Sequence, residues 1–272
     1  MPTLAARLST PKPHLPLLRQ RELLRLLARL EFVPERHLHA LVAPTLSRRH
    51  YRRILTDMHA RHLIWRKPVD ARWLPGAIGA SNGVVLPRAP LLYGLTAQGR
   101  DWLAREHVED DDAVLERAIV RDWKQPELKT GQLAHDLLVV EWCCRALAEL
   151  RRSPLLHRLE LVLEYVSARD ERGQPLQRFD ALLLVQLAPG LPNAQNARPL
   201  PWASADCNAS GRLAWALEID RGTETLMTLL GKAVMYRDLT VCGHYTAELG
   251  VNPLPVVVTT AKRRAKQIAR EW

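Results

Sequence analysis

The sequence predicts a mixed α/β protein built from two domains, and three observations carry that prediction. The chain has 272 residues, which is long for one domain and comfortable for two. Hydrophobic residues make up 47% of the chain, enough for a sizeable core, so wholesale disorder is not expected. Helix-like and strand-like segments alternate along the chain. We expect a flexible N-terminus over residues 1–14, a first domain over 15–105, a connector over 106–126 and a second domain over 127–272.

The first domain begins with three predicted helices. From Leu17 to Leu30, LLRQRELLRLLARL places apolar residues at helical spacing and predicts an amphipathic helix. Pro34 opens a short second helix, because proline fits the first helical turn. Ser47 is a suitable N-cap for a third, arginine-rich helix, SRRHYRRILTDMHARH. The core-facing positions of that third helix are Tyr51, Ile54, Leu55 and Met58.

Two strands and a helix complete the first domain. LIWRKPV predicts a strand, and after PGAIGASNG the segment VVLPRAPLLYGL predicts another, followed by the helix TAQGRDWL. This order resembles a winged helix-turn-helix domain over roughly residues 15–105, with the strands as the wing. The resemblance implies that the third helix contacts phosphates and base edges in the major groove, while the wing flanks reach a neighbouring backbone. The expected DNA-binding residues are Arg48, Arg49, Arg52, Arg53, Lys67 and Arg72.

The charge distribution favours a polyanionic partner for the first domain. Residues 1–105 hold 18 basic against 6 acidic side chains, a formal charge of +12, whereas residues 106–272 hold 21 against 23. A basic domain joined to a near-neutral one is typical of nucleic-acid binding. An arginine-rich composition inherited from a GC-rich genome does not explain the asymmetry. A protein-interaction role for the first domain stays open.

The second domain is predicted by the order of its elements. The connector carries an acidic run from Glu109 to Asp112, which we interpret as solvated. LAHDLLVVEWCCRALAELRR then predicts a long helix, and LHRLELVLEYVSA and LQRFDALLLVQL predict a hairpin of two strands. GRLAWALEID predicts a third strand, TETLMTLLGKAVMYRDL a helix, LPVVVTT a fourth strand, and AKRRAKQIAREW a basic terminal helix. The order is α-β-β-β-α-β-α.

This order, with acidic residues on the second and third strands, resembles the PD-(D/E)xK nuclease superfamily and implies a restriction-endonuclease-like αβββαβ core. Asp180, in RFD, and Glu218, in LEID, match the two acidic positions that hold a divalent metal in that superfamily. Phe179 stands where proline is usual, and Asp220 stands where the superfamily has its lysine. The resemblance therefore carries over two carboxylates and not the lysine.

The chemistry of the acidic residues points to a bound cation independently of the family. Residues two apart on a strand share a face, so Glu218 and Asp220 can converge with Asp180. Unpaired, these carboxylates repel one another, and Mg²⁺ or Mn²⁺ held by oxygen ligands relieves that repulsion. We therefore predict a metal site formed by Asp180, Glu218 and Asp220. Such an ion supports phosphodiester hydrolysis by stabilising charge on the phosphate and activating water.

Lys232 is the candidate for the missing lysine. It lies about 12 Å along a helix that starts near Glu224, at about 1.5 Å per residue. If the helix folds back over the third strand, that distance matches roughly three to four strand residues and brings Lys232 level with Glu218. An inert pairing of Lys232 with Glu218 or Asp220 stays open.

A second, narrower resemblance comes from LEIDRGTET, the downstream K-x-x-x-Y of Lys232 and Tyr236, and AHDLLVVEW on the preceding helix. These strings resemble the replication-relaxation family of plasmid proteins, which implies processing of plasmid or mobile-element DNA. His135 matches a histidine common in that family and is a candidate metal ligand or general base, with a structural role as the alternative. Glu141 is a further candidate carboxylate on the same helix. Candidate phosphate-contacting residues are Arg178 and Arg221.

These observations leave two functions open. The first is a Mg²⁺-dependent DNA endonuclease or nickase with catalytic residues Asp180, Glu218, Asp220, Lys232 and His135. The second is a non-catalytic DNA-binding regulator of replication, mobilisation or transcription with an inactive nuclease-like domain. Double-stranded DNA is the expected partner, other replication or mobilisation proteins and a second copy of the chain stay open, and a membrane is not expected. The four cysteines, the adjacent Cys143 and Cys144 and the scattered Cys207 and Cys242, have neither a zinc spacing nor a convincing disulfide framework and indicate a reducing cytoplasm.

Overall fold

The computed structural model describes residues 15–69, 90–106, 130–188, 211–221, 224–259 and 262–271. It is a mixed α/β protein with two separate sheets, and the predicted fold class is confirmed at that level. The predicted N-terminus of residues 1–14, most of the connector and Arg72 lie outside the described residues. Across the described part of the chain, no helix has both the length and the apolar composition to cross a membrane.

The first sheet lies among four helices. Helices α1 (Leu15–Leu30), α2 (Glu35–Val42) and α3 (Arg48–Ala60) precede strand β2 (Ile64–Pro68), strand β3 (Leu91–Leu95) and helix α4 (Ala97–Glu106). The sequence did not indicate a strand between the first two helices, but β1 (Phe32–Pro34) forms there and pairs with β3. The sheet order is β1-β3-β2, antiparallel throughout.

The predicted helix boundaries of this part follow from local chemistry. The Ser47 hydroxyl accepts a hydrogen bond from the His50 amide at 3.3 Å, so Ser47 caps α3 as predicted. Pro34 is the last residue of β1, and α2 begins at Glu35. The helix therefore starts one residue later than predicted. On α3 the apolar positions face inward: Tyr51, Leu55 and Met58 are buried.

The second sheet has four strands. Helix α5 (Thr130–Leu150) leads into β4 (Leu156–Arg169), β5 (Pro175–Leu187) and β6 (Arg212–Asp220), which pair antiparallel in sequence. Helix α6 (Leu226–Val241) and a short helix α7 (His244–Leu249) connect to β7 (Leu254–Thr259), which pairs parallel with β6. Helix α8 (Lys262–Glu271) follows. The predicted order of elements is present, with α7 as an addition.

The second sheet is covered on both faces. One face packs against α5 in an apolar cluster that continues into the first sheet, so that Leu23 and Tyr51 belong to the same cluster as Ile219. The other face carries a smaller cluster beneath α6 and α7, around Phe179 and Tyr245. Because both faces of β6 are covered, Glu218 and Asp220 at its carboxyl end lie in the protein interior, where they are 5% and 1% exposed.

Candidate functional site

Asp180 and Glu218 meet where the pairing of β5 and β6 ends. The last paired residues are Ala181 and Leu217, so the antiparallel register puts Asp180 opposite Glu218 one step further on. The Asp180 carboxylate then takes the place of a strand partner, because its Oδ2 accepts the Ile219 amide hydrogen at 2.6 Å. Sequence separation between the two acids is 38 residues, yet the register fixes them as neighbours.

The Glu218 carboxylate is held between a like charge and a cation. Burial and the charge of Asp180 raise the pKa of Glu218 to about 7, against the opposing effect of Lys232. Lys232 donates from Nζ to Glu218 Oε1, and to Glu224 Oε1 at 3.0 Å. Burial works to lower the pKa of Lys232, but its hydrogen bonds and attraction to the two glutamates outweigh that effect and raise it. Lys232 is therefore a charged ammonium at the acidic site.

The placement of Lys232 follows from local structure. Thr225 caps α6 by accepting the Thr228 amide hydrogen at 3.1 Å, so the helix begins at Leu226, six residues after Asp220 at the end of β6. The helix folds back along the sheet, and its second turn brings Lys232 beside Glu218, where the helix-length arithmetic predicted it. The candidate role of Lys232 in catalysis stays a prediction.

His135 approaches Asp180 from the opposite helix, α5. Its Nε2 lies 3.3 Å from Asp180 Oδ2, and its Nδ1 lies 3.2 Å from Asp136 Oδ1. Hydrogen bonds to Asp136 and Asp180 raise the pKa of His135 to about 10 against the opposing effect of burial. In this arrangement His135 is an imidazolium at neutral pH, so both ring nitrogens donate and neither is free to act as a base or to bind a metal.

Asp220 does not join Asp180 and Glu218. Its Oδ2 accepts a hydrogen bond from Arg264 Nε at 2.9 Å, and Arg264 also donates to the Glu224 backbone carbonyl at 2.8 Å. The structure thus pairs Asp220 with Arg264, and a metal site shared by Asp180, Glu218 and Asp220 stays a prediction. The physical reason is that α8 presents an arginine at the β6 end, which neutralises Asp220 at a position where burial leaves it 1% exposed.

Glu141, predicted as a further site carboxylate, lies elsewhere. It accepts hydrogen bonds from Arg36 Nη2 at 2.5 Å and Arg145 Nε at 2.7 Å, and its Oε2 lies 2.5 Å from His37 Nε2. These partners hold the pKa of Glu141 at about 2, because His37 and Arg36 outweigh the effect of burial. Glu141 therefore ties α5 to α2 and does not take part in the acidic site.

The predicted phosphate-contacting arginines differ in their surroundings. Arg178 pairs with Glu164 at 2.8 Å on the exposed side of the β4–β5 hairpin. Arg221 directly follows Asp220 at the strand end and is half-buried. Arg178 stands two residues before Asp180 and Arg221 directly follows Asp220, and a phosphate role for both residues stays a prediction.

The predicted DNA-binding side chains within the described residues all point to solvent. Arg48, Arg49, Arg52 and Arg53 are exposed on α3, although Arg52 also pairs with Glu35 at 2.6 Å. Lys67 is exposed on β2, with its ammonium 5.5 Å from the centroid of the Trp65 ring. Four arginines within six residues of one exposed helix end form a concentrated positive surface.

Sequence reasoning missed two residues of the site. Arg264 was part of a terminal helix whose position depends on the parallel pairing of β6 with β7, which no local pattern reveals. Glu224 was recognised as part of a motif but received no role, and it accepts a hydrogen bond from Lys232. The signal for Glu224 was its place in the string LEIDRGTET, two residues before the first residue of α6.

The oxygen atoms at this site suit a hard divalent cation. Mg²⁺ retains several waters and is usually bound through one or two carboxylates, a requirement that Asp180 and Glu218 meet. Glu224 Oε2 is enclosed by the protein and has no hydrogen-bond partner among the described residues, which leaves one further oxygen close to Lys232. Within those same residues, no group of three or more His, Cys, Asp or Glu side chains is arranged to hold a metal ion. The fit is therefore to a two-carboxylate site.

One comparison with known proteins gives a match. A family model described as replication-relaxation matches residues 24–254, more than four fifths of the chain, which covers the first sheet, strands β4 to β6 of the second sheet and every residue of the acidic site except Arg264. Among curated proteins and solved structures, nothing matches.

Proposed function

Because the chain belongs to the replication-relaxation family, we propose that it binds and cuts DNA in the replication or mobilisation of a plasmid or other mobile element. Family membership itself indicates a role in plasmid replication or mobilisation. The observation that carries the cutting step is the juxtaposition of Asp180, Glu218 and Lys232 at one end of the second sheet. This arrangement supports a nuclease-like domain of the PD-(D/E)xK kind over residues 127–272.

The two carboxylates would hold Mg²⁺ or Mn²⁺. When bound there, the ion supplies positive charge to the scissile phosphate and lowers the pKa of a water molecule. Asp180 is oriented for this task by the Ile219 amide on one side and His135 on the other. Asp220 contributes indirectly in this proposal, because it anchors Arg264 beside the same strand end.

Lys232 and His135 supply the remaining charge and protons. Lys232 carries three donors on a flexible stem, so it can leave Glu218 for a phosphate oxygen while it keeps Glu224. His135, held as an imidazolium by Asp136 and Asp180, can donate a proton to a leaving oxygen. This role differs from the general base that the sequence suggested, because a protonated ring has no free lone pair. Arg178 and Arg221 remain the candidates for phosphate contact.

DNA binding is assigned to a winged helix-turn-helix over residues 15–105. An arginine-rich third helix, an antiparallel β2–β3 pair and exposed side chains on both elements support that reading. The α3 arginines lie at the start of the helix, where recognition helices contact base edges and backbone. Residues 70–89, between the two strands, lie outside the described residues.

A plasmid-nicking assay tests the proposal. Purified protein is expected to convert supercoiled plasmid to the open circle with Mg²⁺ or Mn²⁺ and not in excess EDTA. The variants Asp180→Asn and Glu218→Gln are expected to lower the nicking rate by 10²-fold or more. Asp238→Asn removes an exposed carboxylate that pairs with Arg237 on α6, and it serves as the matched control with wild-type nicking. Equal nicking by Asp180→Asn and wild type would refute the assignment.

A second function is favoured by one specific observation. Each carboxylate already has a cationic partner: His135 for Asp180, Lys232 for Glu218 and Arg264 for Asp220. A centre balanced in this way needs no metal ion to be stable, which suits a DNA-binding protein without catalysis. This alternative predicts salt-sensitive DNA binding and no nicking with any divalent ion. Metal-dependent nicking that is lost in Glu218→Gln would exclude it.

A further inference from the structure

Helix α8 carries its positive charges on one exposed face. Lys262, Arg263 and Lys266 are exposed, whereas Ile268 is 7% exposed and packs inward. At about 100° per residue, the three basic residues fall within roughly 100° of arc, about 120° or more away from Ile268. We refer to these three residues as the α8 basic face. Arg270 projects in the same sector and takes part in an interaction of its own within the protein.

The α8 basic face lies beside the acidic site. Arg264, on the buried side of the helix, donates to Asp220 Oδ2 at 2.9 Å and to the Glu224 carbonyl at 2.8 Å. Helix α8 also begins shortly after Thr259, which pairs with Asp220 in the β6–β7 ladder. The helix is therefore pinned to the strand end that carries Glu218, with its inner side fixed and its outer side available.

We propose that the α8 basic face binds the phosphate backbone of DNA next to the acidic site. The inference rests on the proposed function and deepens it by adding a second DNA contact, distant in sequence from the α3 arginines. Three like charges on one face of a single helix repel each other, and a row of phosphates is the partner that relieves this repulsion. An anionic membrane is disfavoured as the partner, because Ile268, on the apolar side of α8, is already buried in the protein and is not available to insert into lipid.

The charge pattern of the second sheet supports this assignment. The carboxylates of Asp180, Glu218, Asp220 and Glu224 lie at one end of the sheet and outnumber their three cationic partners, His135, Lys232 and Arg264, so the remaining negative charge would repel a DNA strand. A backbone approaching this end needs positive charge beside it to offset that repulsion. The α8 basic face supplies this charge without neutralising the site itself, since Arg264 alone turns inward.

The test measures duplex binding by the full chain in EDTA, so that cutting does not enter. The triple variant Lys262→Gln, Arg263→Gln, Lys266→Gln is compared with a matched control, Arg152→Gln, Arg158→Gln, Arg212→Gln. The control removes the same charge at the opposite end of the sheet, roughly 26 Å away along β6 at about 3.3 Å per residue. Affinity is measured between 50 and 200 mM salt.

Loss of three phosphate contacts is expected to reduce the slope of log affinity against log salt by about 0.9 each. The α8 triple variant should therefore lose a slope of about 2 to 3, whereas the control variant should keep the wild-type slope. A wild-type slope in the α8 triple variant, or an equal reduction in both variants, would overturn the inference. Unchanged DNA binding together with lost binding to phosphatidylglycerol vesicles would overturn it in favour of a membrane.

Two further measurements separate this inference from the proposed function. If the triple variant melts more than a few degrees below wild type, the single charge reversal Lys266→Glu replaces it, with an expected slope change of about 1 to 2. Plasmid nicking is scored separately. If the variant shows a reduced slope but the protein never nicks plasmid, the α8 contact is supported and the nuclease proposal is refuted. If the protein nicks efficiently but the slope is unchanged, only the α8 contact is refuted.

Discussion

The substitution Glu141→Gln is expected to destabilise the fold strongly, because it removes a buried charge shared by two helices. Glu141 lies on α5 with its side chain 9% exposed, and it is contacted by Arg36 and His37 of α2 and by Arg145 of its own helix. Glutamine preserves the shape but carries no charge, and it directs an NH₂ group at one of the cationic partners. The prediction therefore concerns the contact between helices α2 and α5.

The magnitude follows from the low pKa of Glu141. A shift from 4.5 to about 2 in the folded state corresponds to about 3 kcal/mol of preferential stabilisation of the charged form, at about 1.4 kcal/mol per pKa unit. This agrees with the roughly 3–5 kcal/mol measured when one partner of a buried ion pair is removed. Arg36 is 46% exposed, so the lower end of that range is expected. For a chain of this size, each kcal/mol shifts the melting temperature by about 2–4 °C.

The assay is urea unfolding of wild type and Glu141→Gln at pH 6, with Glu149→Gln as the matched control. Glu149 lies on the same helix and pairs with Arg152, but both side chains are more than 70% exposed, so the control should change stability by less than about 0.5 kcal/mol. The reasoning is refuted if Glu141→Gln lies within 1 kcal/mol of wild type, or if the two variants lose equal stability.

The pH dependence gives an independent check. The folded-state pKa of Glu141 lies below its unfolded value, so its contribution is fully present above about pH 4.5 and is lost as the pH falls through about 2. The stability difference between wild type and Glu141→Gln should therefore shrink from about 3 kcal/mol at pH 6 to little more than 1 kcal/mol at pH 3. A difference that is constant across this range would assign the effect to packing instead of charge.

Three other predictions concern separate parts of the structure. Lys232→Met leaves Glu218 buried without its cation, so the free energy of unfolding should fall by about 2–3 kcal/mol in urea at pH 8, and unchanged stability would contradict the pairing. Gly99→Ala places a Cβ 1.9 Å from the Leu63 carbonyl oxygen, so thermal melting should occur several degrees lower; a wild-type melting temperature would show that α4 is not packed this closely. The slope of log duplex affinity against log salt concentration should fall in magnitude by about 0.9 for each α3 arginine that is replaced by glutamine. An unchanged slope would exclude this helix from DNA binding. The positions to replace are Arg48, Arg49 and Arg53.

The sequence could predict those features that depend on residues close together in the chain. Helix α3 and its cap depend on a few adjacent residues, so Ser47 and the buried positions that follow it were recognisable. The proximity of Lys232 to Glu218 was also accessible, because only a tight strand-to-helix connection and the rise of a helix enter the arithmetic.

Long-range placement was beyond such reasoning. Alternation along β6 correctly put Glu218 and Asp220 on one face, but it did not say which cation each would meet. Arg264 reaches Asp220 from 44 residues away, through a parallel strand and the start of a new helix. Glu141 was assigned to the wrong neighbourhood for the same reason, because α2 packs against α5 across 104 residues of chain.

The three pairs at the acidic site define what a metal ion would have to displace. Asp220 and Arg264 form a buried pair at 0% and 16% side-chain exposure, and separating them would leave two charges uncompensated in the interior. The Lys232 ammonium is 26% exposed and has a second acceptor in Glu224, so it can withdraw from Glu218 without losing all of its partners. An incoming divalent cation would therefore replace Lys232 at Glu218 at lower cost than it would replace Arg264 at Asp220. Under the proposed function, this difference in cost favours Asp180 and Glu218, opposite each other at the β5–β6 end, as the metal ligands, while Asp220 keeps its partner on α8.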